Sequence, residues 1–431
     1  MEGQETARVL LVGLDTGEDE DFEHSMEELK SLAEAAGKQV AGIIIQRMEN
    51  VNKALYIGSG KVAEVREYAG ECEADEVVFD NALSPSQVRN LGRELELPVL
   101  DRTNLILDIF ALRARTREAK LQVEVARLQY ILPRLVGMRE ALSRQGGTSG
   151  SMSSRGVGET KLELDRRKIE RRISELRKEL ESVERTRETM RKKRGRSGVP
   201  QVALVGYTNA GKSTLMNRMV DLYGEKREKT VLEKDMLFAT LDTNVRSIHT
   251  GDHRPFFLVD TVGFIHKLPH SLVKSFHSTL EEVCCADLLV QVVDVSDEHY
   301  RDQMKVTAET LKELGAGDIP QVIAFNKADK CRMEGLPRQG RMQIHMAAVQ
   351  GVGIEELVGL IKEILYADQV EESFLIPYEK GNIVSSLMEN STVLSQEFRE
   401  DGVWLRVCCR ENLSQRFREY RCASTGGVTG S

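Results

Sequence analysis

Cysteine is scarce in this 431-residue chain and poorly spaced for metal or disulfide chemistry. There are seven, an odd number. Two adjacent pairs, Cys284-Cys285 and Cys408-Cys409, cannot place ligands as C-x-x-C would, and no C-x-x-C occurs. A disulfide framework and a zinc ribbon are both excluded, leaving reduced thiols in a cytosolic setting. Long apolar runs are missing too, so no membrane span is expected. The opening MEGQETARVL has neither the basic nor the apolar region of a secretory signal. The expected location is cytoplasmic, with a peripheral membrane position as the other option. What is present, 41% hydrophobic and 30% charged residues, fits a globular chain of two to four domains.

The net charge of −8 is unevenly distributed. Arg113–Arg144 carries eight Arg/Lys against three Glu, and Lys161–Arg196 carries fifteen against eight Asp/Glu. The segment between them cancels, so this region has a surplus of twelve positive charges and the remainder nets −20. Both halves show helical apolar spacing. Leu121, Val125, Leu128, Leu132, Leu135, Met138 and Leu142 form one stripe, with Pro133 as a point of kinking. Ile169, Ile173, Leu176, Leu180 and Val183 form the other. Two such stripes predict an antiparallel helical hairpin. Its tip, SRQGGTSGSMSSRGVGETKLE, has the composition of a soft loop. A charged face is most often merely solvated; this surplus points instead to an anionic partner.

Before the hairpin, residues 7–101 alternate strands (Arg8–Leu14, Gln39–Ile45, Asp75–Asp80) with helices (Phe22–Ala36, Lys61–Ala69, Ser84–Leu95). That order predicts a parallel α/β domain. Gly58–Lys61 reads GSGK, but Leu55 and Val62 stand where a phosphate loop needs Gly and Ser or Thr, so it reads as a turn before a helix. The fold class is multidomain α/β. The expected domains are an N-terminal α/β domain (1–110), the hairpin (111–196, loop 145–158), a P-loop domain (197–368), and a small α+β domain with tail (369–431).

VALVGYTNAGKST, Val202–Thr214, carries the strongest chemical signal. An apolar strand, then G-x-x-x-x-G-K-S, then a helix lets backbone N–H groups converge on phosphate oxygens. The nucleotide site therefore comprises Gly206, Tyr207, Thr208, Asn209, Ala210, Gly211, Lys212, Ser213 and Thr214. Lys212 is placed for the β and γ phosphates and the Ser213 hydroxyl for Mg2+. A second strand ends in DTVG: Asp260 would hold the Mg2+ directly or through a water, with Thr261 and Val262 leading to Gly263, whose N–H would meet the γ-phosphate. A third ends in NKAD: Asn326, Lys327, Ala328 and Asp329. The Asp329 carboxylate would accept both guanine N1–H and the exocyclic amine, a donor pair adenine lacks. Between the first two, LFATLDTN supplies Phe238, Ala239, Thr240, Leu241 and Asp242, with Thr240 and Thr243 as candidates to complete the Mg2+ shell.

In this order, and with LDRTNLILDIFALRARTREAKLQVEVARLQYILPRL, RGVGETKLELDRR and DTVGFIHKLPHSLVKSFHSTLEEV, the chain resembles the HflX family of ribosome-associated GTPases over about residues 7–424. The resemblance implies binding of GTP and GDP, contact with the large (50S) ribosomal subunit and its rRNA, and GTP-dependent splitting of ribosomes. It implies Thr240 as the Mg2+ threonine and Asn209 as a residue near a K+ ion. Ala347 and Ala348 stand where the family's guanine loop reads Ser-Ala; the Ala348 N–H is expected on guanine O6. Arg144, Arg155, Arg166, Arg167 and Arg171 are the expected ribosome contacts, and a monomer is expected. Three positions depart from the family: Thr243 for Pro, Ala347 for Ser, and Val157 for Pro. Phe264 follows Gly263 where many GTPases carry a water-orienting Gln, which predicts slow hydrolysis without a partner. Two other readings keep the same motifs: a GTP-gated module in ribosome assembly or RNA metabolism without splitting, and a signalling switch dimerised through the hairpin.

Overall fold

The computed structural model describes residues 6–17, 21–145, 152–196, 198–224, 237–238, 241, 243–251, 254–267, 269, 272, 277–331, 333 and 335–422. The chain begins with β1 (Arg8–Asp15), α1 (Phe22–Ala35), β2 (Gln39–Arg47), α2 (Ser59–Glu71), β3 (Glu76–Phe79), α3 (Pro85–Leu95), β4 (Val99–Asp101) and α4 (Arg102–Arg113). The four strands form one parallel sheet in the order β2-β1-β3-β4. Val9, Leu10, Leu11 and Val12 are all inaccessible, as a strand covered on both faces requires. Gly58 caps α2, so GSGK is a helix start. Ser84 accepts the Gln87 N–H while the Gln87 side chain accepts the Ser84 N–H, with Pro85 at the first helical position.

The hairpin follows as α5 (Arg117–Gln145) and α6 (Met152–Arg196). Leu121, Val125 and Leu176 are buried at its seam, flanked by Leu128, Leu180 and Val183. Pro133 lies inside α5, which continues through it. Helix α6 corrects the expected loop: residues 152–158 are helical although they were expected within the loop of 145–158. Extending an existing helix needs no new nucleus, so Ser and Gly there lower its stability by only about 1 kcal/mol each at most. Val157 therefore sits in a helix rather than in a free tip. Residues 146–151 lie outside the described set.

A seven-stranded sheet forms the next unit: β5 (Gln201–Val205), β6 (Asn244–Ile248), β7 (Phe256–Asp260), β8 (Leu288–Asp294), β9 (Gln321–Asn326), β10 (Arg338–Gln339) and β11 (Gln343–His345), in the order β10-β11-β9-β8-β5-β7-β6. The five central strands are parallel, and the two edges run antiparallel. Helix α7 (Lys212–Tyr223) leaves β5. A three-stranded antiparallel sheet, β12 (Gln369–Ile376), β13 (Thr392–Arg399) and β14 (Gly402–Arg410), closes the chain with β14 in the centre. No helix among the described residues is long and apolar enough to cross a membrane, and the seven cysteines are free.

The N-terminal unit and the seven-stranded unit share one core. Val9, Leu11, Leu105, Phe110 and Val123 belong to the same buried cluster as Tyr207, Phe238, Leu241, Val262 and Ile265. Burial of this kind contributes about 25 cal/mol per Å2 of apolar surface. The two units are thus packed as one body, with the strand ends of the second facing the first.

Candidate nucleotide site

The site gathers at the C-terminal ends of β5, β7 and β9, where an open parallel sheet binds ligands. Gly206 and Gly211 have φ of +138° and +96°. A Cβ on Gly206 would lie 2.3 Å from the Val292 carbonyl oxygen, and one on Gly211 would lie 2.3 Å from the Asn326 amide nitrogen. Glycine is therefore required at both by conformation and by space. Asn209, at φ +61°, is exposed at the loop's tip.

Lys212 is buried, and its Nζ donates to the carbonyls of Gly206 (3.0 Å) and Tyr207 (2.6 Å). Burial pushes its ammonium down to about 8, with the Asp260 carboxylate opposing. The Ser213 hydroxyl donates to Asp260 Oδ2 at 2.8 Å, and Thr261 Oγ1 donates to the Leu204 carbonyl at 2.6 Å. A hydroxyl beside a carboxylate is an oxygen donor set that suits a hard divalent cation. Gly263 packs on the P-loop: a Cβ there would lie 2.8 Å from Thr208 Cα and 3.1 Å from Lys212 Nζ.

One side chain joins the P-loop to the segments after β9 and β11. Asn326 donates to the Ala210 carbonyl and accepts the Ala348 N–H, both at 2.9 Å. The Ala348 N–H, expected on guanine O6, is bonded here to Asn326. Ala347 and Ala348 are buried behind that contact. Lys327 pairs with Asp294 at 2.7 Å. Asp329 is exposed, accepting from Gln350 Nε2 at 3.3 Å.

Several expected residues turn their side chains away from this site. Phe238 and Leu241 are buried in the shared core rather than open to a nucleotide, and the Phe238 ring meets Phe110 edge-on at 4.8 Å. Tyr207 and Val262 are in the same core. Apolar side chains in a polar stretch found an apolar partner in a different unit, which local spacing cannot reveal. Ala239, Thr240 and Asp242 lie outside the described residues. Thr243 Oγ1 accepts a hydrogen bond from Arg187 of α6, which also pairs with Glu118 and Glu282. Phe264 is buried among Ala203, Val205, Val259 and Val283. On the hairpin, Arg166 pairs with Glu170 and Arg167 with Glu163 one turn away, while Arg171 is exposed. The side chains of Arg144 and Arg155 lie outside the described set.

A group of residues with no recognisable motif completes the surroundings. Arg102, Asp80 and Glu28 of the N-terminal unit form a buried ionic cluster that reaches Tyr207, His266 and Lys267. The one local signal was Arg102, a charged residue between the apolar LPVLD strand end and the apolar run Leu105–Leu107.

Three family models match in succession: the GTP-binding GTPase N-terminal region over residues 23–111, the GTP-binding GTPase middle region over 113–194, and the 50S ribosome-binding GTPase over 201–327. The chain is 42% identical to the GTPase HflX of Lacrimispora saccharolytica over 93% of each chain. It is 42% identical to that of Caldanaerobacter subterraneus subsp. tengcongensis over 96% of this chain and 93% of the relative. With the GTPase HflX of Escherichia coli K12 the identity is 37%, over 94% and 96%. With three such family models in succession and relatives of this identity along nearly their whole length, the chain belongs to the HflX family of GTPases.

Proposed function

We propose that this GTPase binds the large ribosomal subunit through the basic α5–α6 hairpin and, with GTP bound, splits 70S ribosomes. The observation that carries the reading is the coupling of the hairpin to the nucleotide unit. Arg187 of α6 holds Thr243, at the end of the segment expected to order on GTP, and Glu282. A change at the nucleotide is thereby passed to the helix that would meet the ribosome. The surplus of positive charge on that hairpin suits rRNA phosphates. Part of the surplus is spent within the molecule, as in Arg134 with Asp101.

In this reading Gly206–Thr214 holds the phosphates. Ser213 and Asp260 would hold Mg2+, with Thr240 joining them, and Asp329 would read guanine. The chemistry Mg2+ would supply there is neutralisation of phosphate charge. Asn209 would contribute to a K+ site. The protein acts as a cytoplasmic monomer. With Phe264 buried, no side chain at that position orients water, so hydrolysis is slow until the ribosome orders the site.

Sedimentation of 70S ribosomes with the protein and a nonhydrolysable GTP analogue tests this. Free subunits are expected with the analogue and not with GDP. Binding to intact 70S without subunit release would instead favour a role in assembly, and no co-sedimentation would overturn the proposal.

A further inference from the structure

Tyr207 holds the second P-loop position, yet its side chain is buried in the core of the N-terminal unit. Its hydroxyl donates to the Glu28 carboxylate of α1 and accepts the His266 N–H at 2.6 Å. Burial and then the Glu28 charge push this phenol up, so it remains a neutral donor. Glu28 is itself fixed by Arg102 Nη1 at 2.6 Å, and the same nitrogen donates to the His266 carbonyl at 2.9 Å. One residue of the segment after Gly263 is thus held at both its N–H and its C=O.

The next residue is held as well. Lys267 has φ +55°, a backbone conformation that L side chains rarely adopt. Its Nζ donates to Asp80 Oδ2 at 2.8 Å and to Ser25 Oγ at 2.9 Å. Asp80 also accepts from Arg102 at 2.8 Å and 3.2 Å. Burial would raise the Asp80 carboxyl, but Arg102 and Lys267 hold it below the usual range. Two cations and two anions close a buried cluster whose members all have partners, the condition under which such a cluster fixes geometry.

On its other side the segment is joined to the P-loop. Thr208 N–H donates to the Phe264 carbonyl at 2.8 Å, and Phe264 N–H donates to the Gly206 carbonyl at 3.1 Å. Gly263 lies against Lys212, whose Nζ is occupied by the carbonyls of Gly206 and Tyr207. The Lys212 ammonium has a third donor for a γ-phosphate oxygen, and a γ-phosphate bound by the Gly263 N–H would pull on this segment. Three residues further on, His266 cannot follow without sliding past the Tyr207 hydroxyl.

We propose that Tyr207 is a positioning residue through which the N-terminal unit senses the γ-phosphate: the Glu28–Tyr207–His266 bridge holds residues 263–267 in the resting geometry, and GTP, unlike GDP, must break it. This rests on the reading of Gly206–Thr214 and Gly263 as the phosphate site. Energetic coupling is reciprocal, so GTP loosens the bridge as much as the bridge weakens GTP.

The test uses the full chain, with Tyr207→Phe and Glu28→Gln, singly and together. Phenylalanine keeps the ring in the core and removes only the bridging oxygen. The proposal expects Tyr207→Phe to tighten a nonhydrolysable GTP analogue about fivefold or more relative to GDP. Single-turnover hydrolysis without ribosomes should rise. Glu28→Gln should act in the same direction, and the double variant should fall short of the sum because both break one bridge. Equal shifts for both nucleotides, a weaker analogue, or additive effects overturn it. In the unaltered protein, amide exchange at His266 should quicken with the analogue and stay slow with GDP. Equal protection with both nucleotides also overturns it. A wild-type protein that binds neither nucleotide overturns the phosphate-site reading itself, and this proposal with it.

Discussion

Asn326 donates its side-chain amide to the Ala210 carbonyl at 2.9 Å, tying the end of β9 to the P-loop. The same side chain accepts the Ala348 N–H. Asn326→Ala would leave that buried N–H unpaired, at a cost of about 1–3 kcal/mol, and would free the loops from one another. We expect a lower urea midpoint and at least about tenfold weaker GDP binding by fluorescent-nucleotide titration. A variant with unchanged GDP affinity would show that the tie does not shape the site.

Asp329 tests base choice separately. It is exposed and its only described partner is Gln350, so Asp329→Asn should leave stability nearly unchanged. Replacing a double acceptor by an amide removes the match to the guanine donor pair, and GTP affinity should fall about a hundredfold or more. Xanthosine nucleotides, which present an oxygen in place of the exocyclic amine, should gain affinity. Equal losses for both bases would place base recognition elsewhere.

The buried Lys212 gives a pH signature. Its folded value of about 8 lies below its ordinary 10.5. Below about pH 8 the folded protein carries the full cost of burying the cation; that cost fades as pH rises from about 8 to 10.5, so this group stabilises the nucleotide-free protein on the alkaline side. Nucleotide phosphates would restore the charge. Calorimetry in buffers of different ionisation enthalpy should therefore detect uptake of up to about one proton on GDP binding at pH 9, and almost none at pH 7. Absence of uptake at pH 9 would mean that Lys212 stays charged in the free protein.

Phe264→Gln should not create a fast GTPase. The ring is packed among Ala203, Val205, Val259 and Val283, so glutamine there would open a cavity and bury an amide. We expect a loss of about 3 kcal/mol in unfolding free energy and no gain in basal turnover. Faster hydrolysis in the variant would show that position 264 can reach the attacking water.

On the hairpin, Arg171→Glu should weaken binding to the large subunit and lower the slope of log K against log salt by about one. Arg166→Gln should do less, because Arg166 is already paired with Glu170. Loss of binding without any change in slope would point to a packing contact instead of an rRNA phosphate.

Much of this was legible in the chain itself. Phosphate binding needs glycines at fixed intervals from a lysine and a serine, and guanine reading needs an acid at a fixed distance from a strand end. Those requirements are local, so Gly206–Thr214, Asp260–Gly263 and Asn326–Asp329 stand out in the sequence and then fold to one end of one sheet. The helical stripes were equally local, and Leu121, Val125 and Leu176 met as their spacing required. The extent of the Gly/Ser loop was less so, because composition records a lower helix propensity and not the helix that propagates into it.

The sequence alone determined which chemistry the chain carries, since that depends on residue type and short spacing. Tertiary structure alone decided what surrounds that chemistry. Glu28 and Tyr207 are 179 positions apart, and Phe110 meets Phe238 across two units. No periodicity encodes such pairs; they exist because segments at the strand ends of the seven-stranded sheet bury apolar side chains in the core of the N-terminal unit, and the charged groups trapped at that boundary must find partners there.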